Sequence, residues 1–181
     1  MRDLKNILFF AGLIFISRFI PHWPNFTALG ASIVGMSFFT DDSISKLNNT
    51  LRIILIPLAG MLFSDLILEF HDQILWVYGS IILSGITLSL FKTNNPNKLK
   101  IAPLQVLNRS LINSGLFYLI TNFGVWSQSN GFYSKDFKGL VQCYFAGIPF
   151  ALNDLISTLL YSSLALIIYQ LVIQKNKKIL A

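Results

Sequence analysis

Charge is scarce in this sequence. Acidic and basic side chains make up 12% of its 181 residues, against about 25% in a soluble globular domain. So few charges leave too little polar surface for a soluble domain of this length. Cys143 stands alone, which excludes a disulfide framework. With only two histidines beside it, a Cys-rich structural zinc site is excluded as well. No Gly-x4-Gly-Lys-Ser/Thr run is present, so the chain cannot itself drive ATP-powered uptake. No Gly-x-Ser-x-Gly elbow is present either, and no internal repeat supports an inverted-repeat transporter. What the chain has is apolar: 54% of residues are hydrophobic, with 16 Phe, 3 Trp and 6 Tyr. That content rules out intrinsic disorder. The expectation is one integral membrane domain over residues 1–181.

A membrane-crossing helix needs about 20 mostly apolar residues. Six segments qualify in pattern: 4–20, 26–39, 51–70, 74–91, 103–123 and 148–173. The second is short, about 21 Å at the helical rise, against roughly 30 Å of hydrocarbon. It is read as a short true span set among longer helices. The first resembles a secretory signal in having Arg2 and Lys5 ahead of an apolar run. It lacks an Ala-x-Ala-like site, and Arg18 falls where cleavage would occur, so it is read as a span.

The charges orient the spans. With the N-terminus inside, the inner side receives Arg2, Lys5, Lys46, Arg52, Lys92, Lys98, Lys100, Arg109, Lys175, Lys177 and Lys178. The outer side receives only Lys135 and Lys138. That is a strong positive-inside bias, and dropping the second span would scramble it. The net charge of +6 therefore reads as topology anchoring and not as nucleic-acid binding. The acidic residues divide the other way: Asp65, Glu69, Asp72, Asp136 and Asp154 fall on the outer half, and Asp3, Asp41 and Asp42 inside. Between the fifth and sixth spans, Phe137, Leu140, Val141, Tyr144 and Phe145 recur at helical spacing behind Asp136, a candidate N-cap. This predicts a short amphipathic helix on the outer face, as packing element or lid. Pro149 is placed at the start of the sixth helix, where proline is best tolerated.

On this topology the polar intramembrane residues gather at the outer end. Arg18, His22, Trp23 and Asn25 flank the first outer turn. Asp65 and Glu69 lie one turn apart on one face of the third helix, followed by His71. Asn122 and Trp126 close the fifth helix, and Asp154 opens the sixth. Ionisable groups in a span are costly and normally face a cavity or a partner. Arg18 and Asp65 are expected to pair, which by itself is a helix-to-helix staple. Glu69, Asp154 and the histidines exceed what a staple needs. The reading adopted is a small-molecule site open to the outside, with no catalytic residue, metal or cofactor. A transition-metal set from His22, Glu69, His71 and Asp72 lacks a fixing helical spacing. Hydrolysis through Ser64 and His71 and a proton relay through Asp65 and Glu69 are the weaker readings. Trp76 reads as an interfacial belt residue, whereas Trp23 and Trp126 adjoin the polar cluster. Ala28 with Ser32 and Ala31 with Gly35 form small-xxx-small pairs on the second helix, and Gly79 and Gly85 thin the fourth.

Several long runs resemble one uncharacterised bacterial membrane family, DUF6580. They are Arg18 to Thr27 (RFIPHWPNFT), Met61 to His71 (MLFSDLILEFH), Val77 to Ser80, Thr121 to Trp126 and Tyr144 to Phe150. The family is similar to the substrate-binding S components of energy-coupling-factor vitamin transporters. That resemblance implies a six-helix bundle in the bacterial inner membrane that captures a vitamin or similar micronutrient from outside. It also implies an energising membrane subunit with ATPases as partner, docked through small residues of the first helix. Here that helix offers only Ala11 and Gly12 before Ser17, so docking and a stand-alone role both remain open.

The expected fold is thus an all-α membrane protein, a six-transmembrane-helix bundle with both termini inside. The expected function is solute capture for uptake, without enzymatic activity. Arg18, Asp65 and Glu69 would form the floor of the cavity. His22, Trp23, Asn25, His71, Asn122, Trp126 and Asp154 would line its rim. The partners are the solute and the lipid bilayer, with no nucleic acid. The rival is a non-transporting assembly or scaffold protein whose polar cluster is structural.

Overall fold

A computed structural model of the chain describes residues 2–38, 45–91 and 103–179. Six α-helices and no strand make up these described residues. They are α1 (Arg2–Phe19), α2 (Leu29–Ser37), α3 (Lys46–Leu68), α4 (Ile74–Ser89), α5 (Pro103–Ser127) and α6 (Phe137–Ile179). The expected inner-side cations Lys92, Lys98 and Lys100, and the acidic pair Asp41 and Asp42, lie outside the described residues.

Each helix runs back along the one before it. Ser17 meets Ala28, and Phe10 lies against Gly35, so α2 descends along α1. Ile14 packs on Gly60 and Arg18 on Asp65, so α3 runs parallel to α1. Tyr78 bonds Asp65 while Gly85 packs on Ile54, which reverses α4. Trp76 against Gly124 and Phe91 against Arg109 reverse α5. Asn122 against Gly147 and Asn113 near Thr158 across Gly30 reverse α6.

The short second helix sits at the centre. All nine residues of α2 are buried, and it packs on each of the other five helices. Nine residues span about 14 Å, half the thickness of a bilayer core. Where a second span over 26–39 was expected, the described residues form a half-length buried helix preceded by a turn in which the Phe26 amide donates to the Trp23 carbonyl at 2.9 Å. Both of its ends are satisfied from outside. The Ala28 amide donates to Ser17 Oγ at 3.0 Å. At the other end Arg109 Nη1 donates to the Ser37 carbonyl at 2.8 Å and to Ser37 Oγ at 2.7 Å. Its guanidinium lies 4.0 Å from the centre of the Phe38 ring. A cation there complements the helix C-terminus. Arg109, expected as a surface topology anchor, is in fact 3% exposed. The correction has a physical cause: a helix that ends inside the bundle needs a buried donor for its last carbonyl.

The segment expected as an outer amphipathic helix also differs from expectation. The separate amphipathic helix and the sixth span are one helix of 43 residues, with Pro149 in its interior. Pro149 cannot donate to the Phe145 carbonyl, but packing of α6 along α5 and α2 holds the helix through that gap. Asp136 caps this helix as anticipated, accepting from the Gly139 amide at 2.8 Å. Pro57 likewise lies inside α3 without ending it.

The interior mixes apolar and small polar side chains, and large apolar side chains also face outward. Phe10, Ile14, Val34, Ile53, Ile81 and Leu88 fill the apolar centre. Many other buried positions are small and polar: Ser17, Ser32, Ser64, Ser80, Ser110 and Ser157 among them. Leu55, Phe63, Leu66, Leu83, Ile156 and Leu160 face outward instead. Among the described residues two stretches, Lys46–Leu68 and Phe137–Ile168, are long and apolar enough to cross a membrane. Small residues permit the close approaches. A β-carbon at Gly35 would overlap the Phe10 ring, and one at Gly85 would lie 2.5 Å from Ile54 Cγ1. Gly79, expected to thin α4 for packing, faces open space.

Candidate functional site

The cavity end of the bundle is built where α1 gives way to the turn before α2. Pro21 and Pro24 fix φ there, and Asn25 turns the chain at φ 61°. The Asn153 side-chain amide donates to the Pro24 carbonyl at 3.0 Å, pinning this segment to α6. Opposite, α3 ends at Glu69 with φ 70° and ψ 154°, a backbone region that strains any residue with a β-carbon. That turn swings His71 and Gln73 back toward the axis.

Between these segments lies a cavity of about 530 Å³. Its polar lining includes Arg18, His22, Asn25, His71, Asn122 and Asp154. Leu29, Met61, Val77, Phe117 and Phe150 supply apolar walls. The size and the mixture suit a small organic ligand, which typically takes 300–1,000 Å³ of mostly apolar space with a few fixed polar groups.

Arg18 is bound on its inner side. Its Nη1 forms an ion pair with Asp65 and donates to Ser64 Oγ at 2.5 Å and the Met61 carbonyl at 3.4 Å. Asp65 is fully buried and accepts a second hydrogen bond from the Tyr78 hydroxyl at 2.8 Å. The expected Arg18–Asp65 pair is therefore present, and Tyr78 completes it. Asp65 stands behind Arg18 and is not part of the lining. Glu69 is exposed and outside the lining too. The floor expected from Arg18, Asp65 and Glu69 thus reduces to Arg18 alone.

Asp154 is the buried acid of the cavity. It is 4% exposed, and its Oδ2 has no hydrogen-bond partner among the described residues. His22, exposed in the loop, has Nδ1 2.8 Å from the Trp23 carbonyl. Asn122 donates to the Tyr118 carbonyl at 2.9 Å, and Gly147 leaves its Oδ1 room. Trp23 lies outside this cavity and lines a second, shallower hollow with Ser17, Phe26 and Tyr161. Trp126 is not in the lining either. Its indole N–H donates to the Ser134 carbonyl at 2.9 Å, and Lys135 Nζ lies 5.4 Å from its ring centre. Trp126 thereby organises the loop that carries Tyr133 to the cavity mouth. At the end of that loop, the Gly139 amide and the Ser134 hydroxyl hold the Asp136 carboxyl below its usual range. Gln73, Thr121, Tyr133 and Cys143 line the cavity without having been expected there. Gln73 and Thr121 carried no charge to mark them, and Tyr133 sat in a turn-rich run. Among the described residues, no group of three or more His, Cys, Asp or Glu side chains comes together as a metal site.

The class this defines is a bundle, all-helical among the described residues, with a mixed apolar and polar interior and a cavity at one end. The chain belongs to DUF6580, a family of unknown function whose model matches residues 2–180. Neither the curated proteins nor the solved structures contain a match.

Proposed function

We propose that this chain is a multi-pass membrane protein that captures a small solute in the cavity at its outer end, in the manner of a transporter S component. The observation that carries the reading is the 530 Å³ cavity with polar groups from α1, the two loops, α5 and α6 converging on it. The membrane part rests on the large apolar side chains that face outward. Apolar side chains on the outer faces with serines within is the arrangement expected of helices packed in lipid. Six alternating helices, with Lys46, Arg52 and Arg109 toward the end opposite the cavity, support six crossings with both termini cytoplasmic. The half-length α2 is tolerated because the other five helices surround it. A bacterial inner membrane and an energising ATPase-bearing partner follow from the S-component analogy.

The solute class follows from the walls. The apolar Met61, Val77, Phe117 and Phe150 favour a ring-bearing body, and the amides, imidazoles and hydroxyls favour several hydrogen-bonding groups. A vitamin-like heterocycle meets both demands. The reading is capture and not catalysis. A thermal-shift screen of purified protein against vitamins and related micronutrients tests it. A binding solute raises Tm, and Ala146→Trp, which fills the cavity from its lining, removes that shift while the apo protein still folds. A complete screen without a single shift contradicts the proposal.

One observation favours the structural rival. The Arg18–Asp65–Tyr78 group is satisfied within the protein and needs no ligand. His22→Ala separates the two readings, since His22 is exposed and outside that group. Loss of binding with unchanged stability supports capture, and unchanged binding with a scaffold phenotype supports the rival.

A further inference from the structure

Most buried hydroxyls in this bundle bond back to their own helix. Ser17, Ser32, Ser37, Ser80, Ser157 and Ser162 each donate to a carbonyl one turn earlier, at 2.5–2.9 Å. One region departs from this habit. Ser110 Oγ, Asn113 Oδ1 and Ser114 Oγ on α5, with Asp154 Oδ2 and Thr158 Oγ1 on α6, have no hydrogen-bond partner among the described residues. None of these five residues is more than 5% exposed. Leaving a buried oxygen unpaired costs about 1–3 kcal/mol, so five adjoining ones mark a missing partner.

The five adjoin by helical register. Ser110, Asn113 and Ser114 share one face of α5, and Asp154 and Thr158 lie one turn apart on α6. Thr158 and Asn113 converge over Gly30 of the central helix, where a β-carbon would overlap Thr158 Oγ1 and lie 2.6 Å from Asn113 Nδ2. Ser114 lies close to the Asp154 carboxyl, near enough for a side-chain hydrogen bond in distance but without the geometry of one at Asp154 Oδ2. Asp154 lines the cavity, so the group begins at the cavity floor and runs inward along the α5–α6 seam.

We propose that this group binds one alkali-metal cation of sodium size, held by Asp154, Ser114, Asn113 and Thr158. The donors are all oxygens, one carboxylate with hydroxyls and an amide, which suits a hard cation and not a soft transition metal. The group holds a single formal negative charge. One monovalent cation neutralises it, whereas a divalent ion would leave net positive charge in a low-dielectric interior. Protein cations are engaged elsewhere: Arg18 with Asp65, and Arg109 with Ser37. Among the described residues none pairs with Asp154. Sodium is favoured over potassium because it is content with fewer oxygen ligands. The inference does not depend on whether the cavity takes a solute.

The test uses the full chain purified in detergent, in choline chloride of fixed ionic strength. Replacing choline by sodium in steps should raise Tm along a saturating curve. Asp154→Asn should flatten that curve. Because this variant could fail to fold, Ser114→Ala and Thr158→Val are measured beside it. Each should shift the sodium midpoint upward several-fold. Equal Tm in sodium and choline, or an undiminished sodium response in a folded Asp154→Asn or in both hydroxyl variants, overturns the site. A response to potassium alone overturns the size assignment.

Discussion

Asp65→Ala is the sharpest single perturbation of the bundle. Asp65 is fully buried, carries the counter-charge of Arg18 and accepts from Tyr78 at 2.8 Å. Its loss strands two partners at once. Breaking a buried ion pair from one side costs about 3–5 kcal/mol. Arg18 keeps Ser64 Oγ and the Met61 carbonyl and faces the cavity, so it recovers part of this. The expected loss is therefore at the lower end, about 3 kcal/mol, which lowers the folded-to-unfolded ratio by about 150-fold. Asp65→Asn keeps an acceptor without the charge and should lose about half as much. Arg18→Met with Asp65→Leu removes both charges and should return to within about 1 kcal/mol of the parent. Unfolding in mixed micelles by SDS titration, followed by tryptophan fluorescence, reads all three. If Asp65→Ala alone stays within about 1 kcal/mol, Arg18 needs no counter-charge and the staple account of α1 and α3 is wrong.

Three further outcomes follow from other parts of the fold. Gly35→Ala places a β-carbon into the Phe10 ring and should destabilise by about 1–3 kcal/mol, with Phe10→Leu recovering part of it; a neutral Gly35→Ala would contradict the close α1–α2 contact. Glu69→Gly should stabilise by about 1 kcal/mol, because relief of the positive-φ strain exceeds the entropy glycine adds to the unfolded chain; destabilisation would mean that the Glu69 side chain holds the turn. The Asp136 carboxyl is depressed in the folded state, so its contribution is complete above the unfolded value and fades as pH falls through the folded one. Protection factors of the Gly139 and Leu140 amides, taken against the intrinsic exchange rate at each pH, should fall below the ordinary value of 3.8, and Asp136→Asn should remove that pH dependence; a fall that persists in Asp136→Asn would place its cause elsewhere.

The number and order of the helices were legible because apolar runs broken by Pro21, Asp41-Asp42 and the polar turn at Ser127 to Ser134 carry that information directly. The centrality of α2 was half legible: its shortness and its small-residue pairs demanded close neighbours, but no local pattern says that all five other helices supply them. Pro149 misled, since a proline reads as a helix start when only local geometry is weighed, and tertiary packing carried the helix through it. Arg109 misled for a related reason. A lone arginine near a span end looks like an anchor until the helix end it caps is placed beside it. In the site, Arg18–Asp65 was foreseeable from charge and depth, and Asp154 from its cost in a span. Tyr78 was not, because a tyrosine hydroxyl declares no partner in sequence. Glu69 and Trp126 were grouped with the site by proximity along the chain. The backbone turns one outward, and the loop hydrogen bonds occupy the other.

The central claim is a cavity that opens outward from a bundle crossing the membrane repeatedly. Cysteine accessibility in intact cells tests it most directly, in a Cys143→Ser background that removes the native thiol. Asn25→Cys and Gln73→Cys sit at the cavity end, and Asn48→Cys at the start of α3 sits at the opposite end. The account predicts that a membrane-impermeant maleimide labels the first two in intact cells and labels Asn48→Cys only after the cells are opened. Labelling of Asn48→Cys in intact cells, or protection of both cavity positions until lysis, would contradict it.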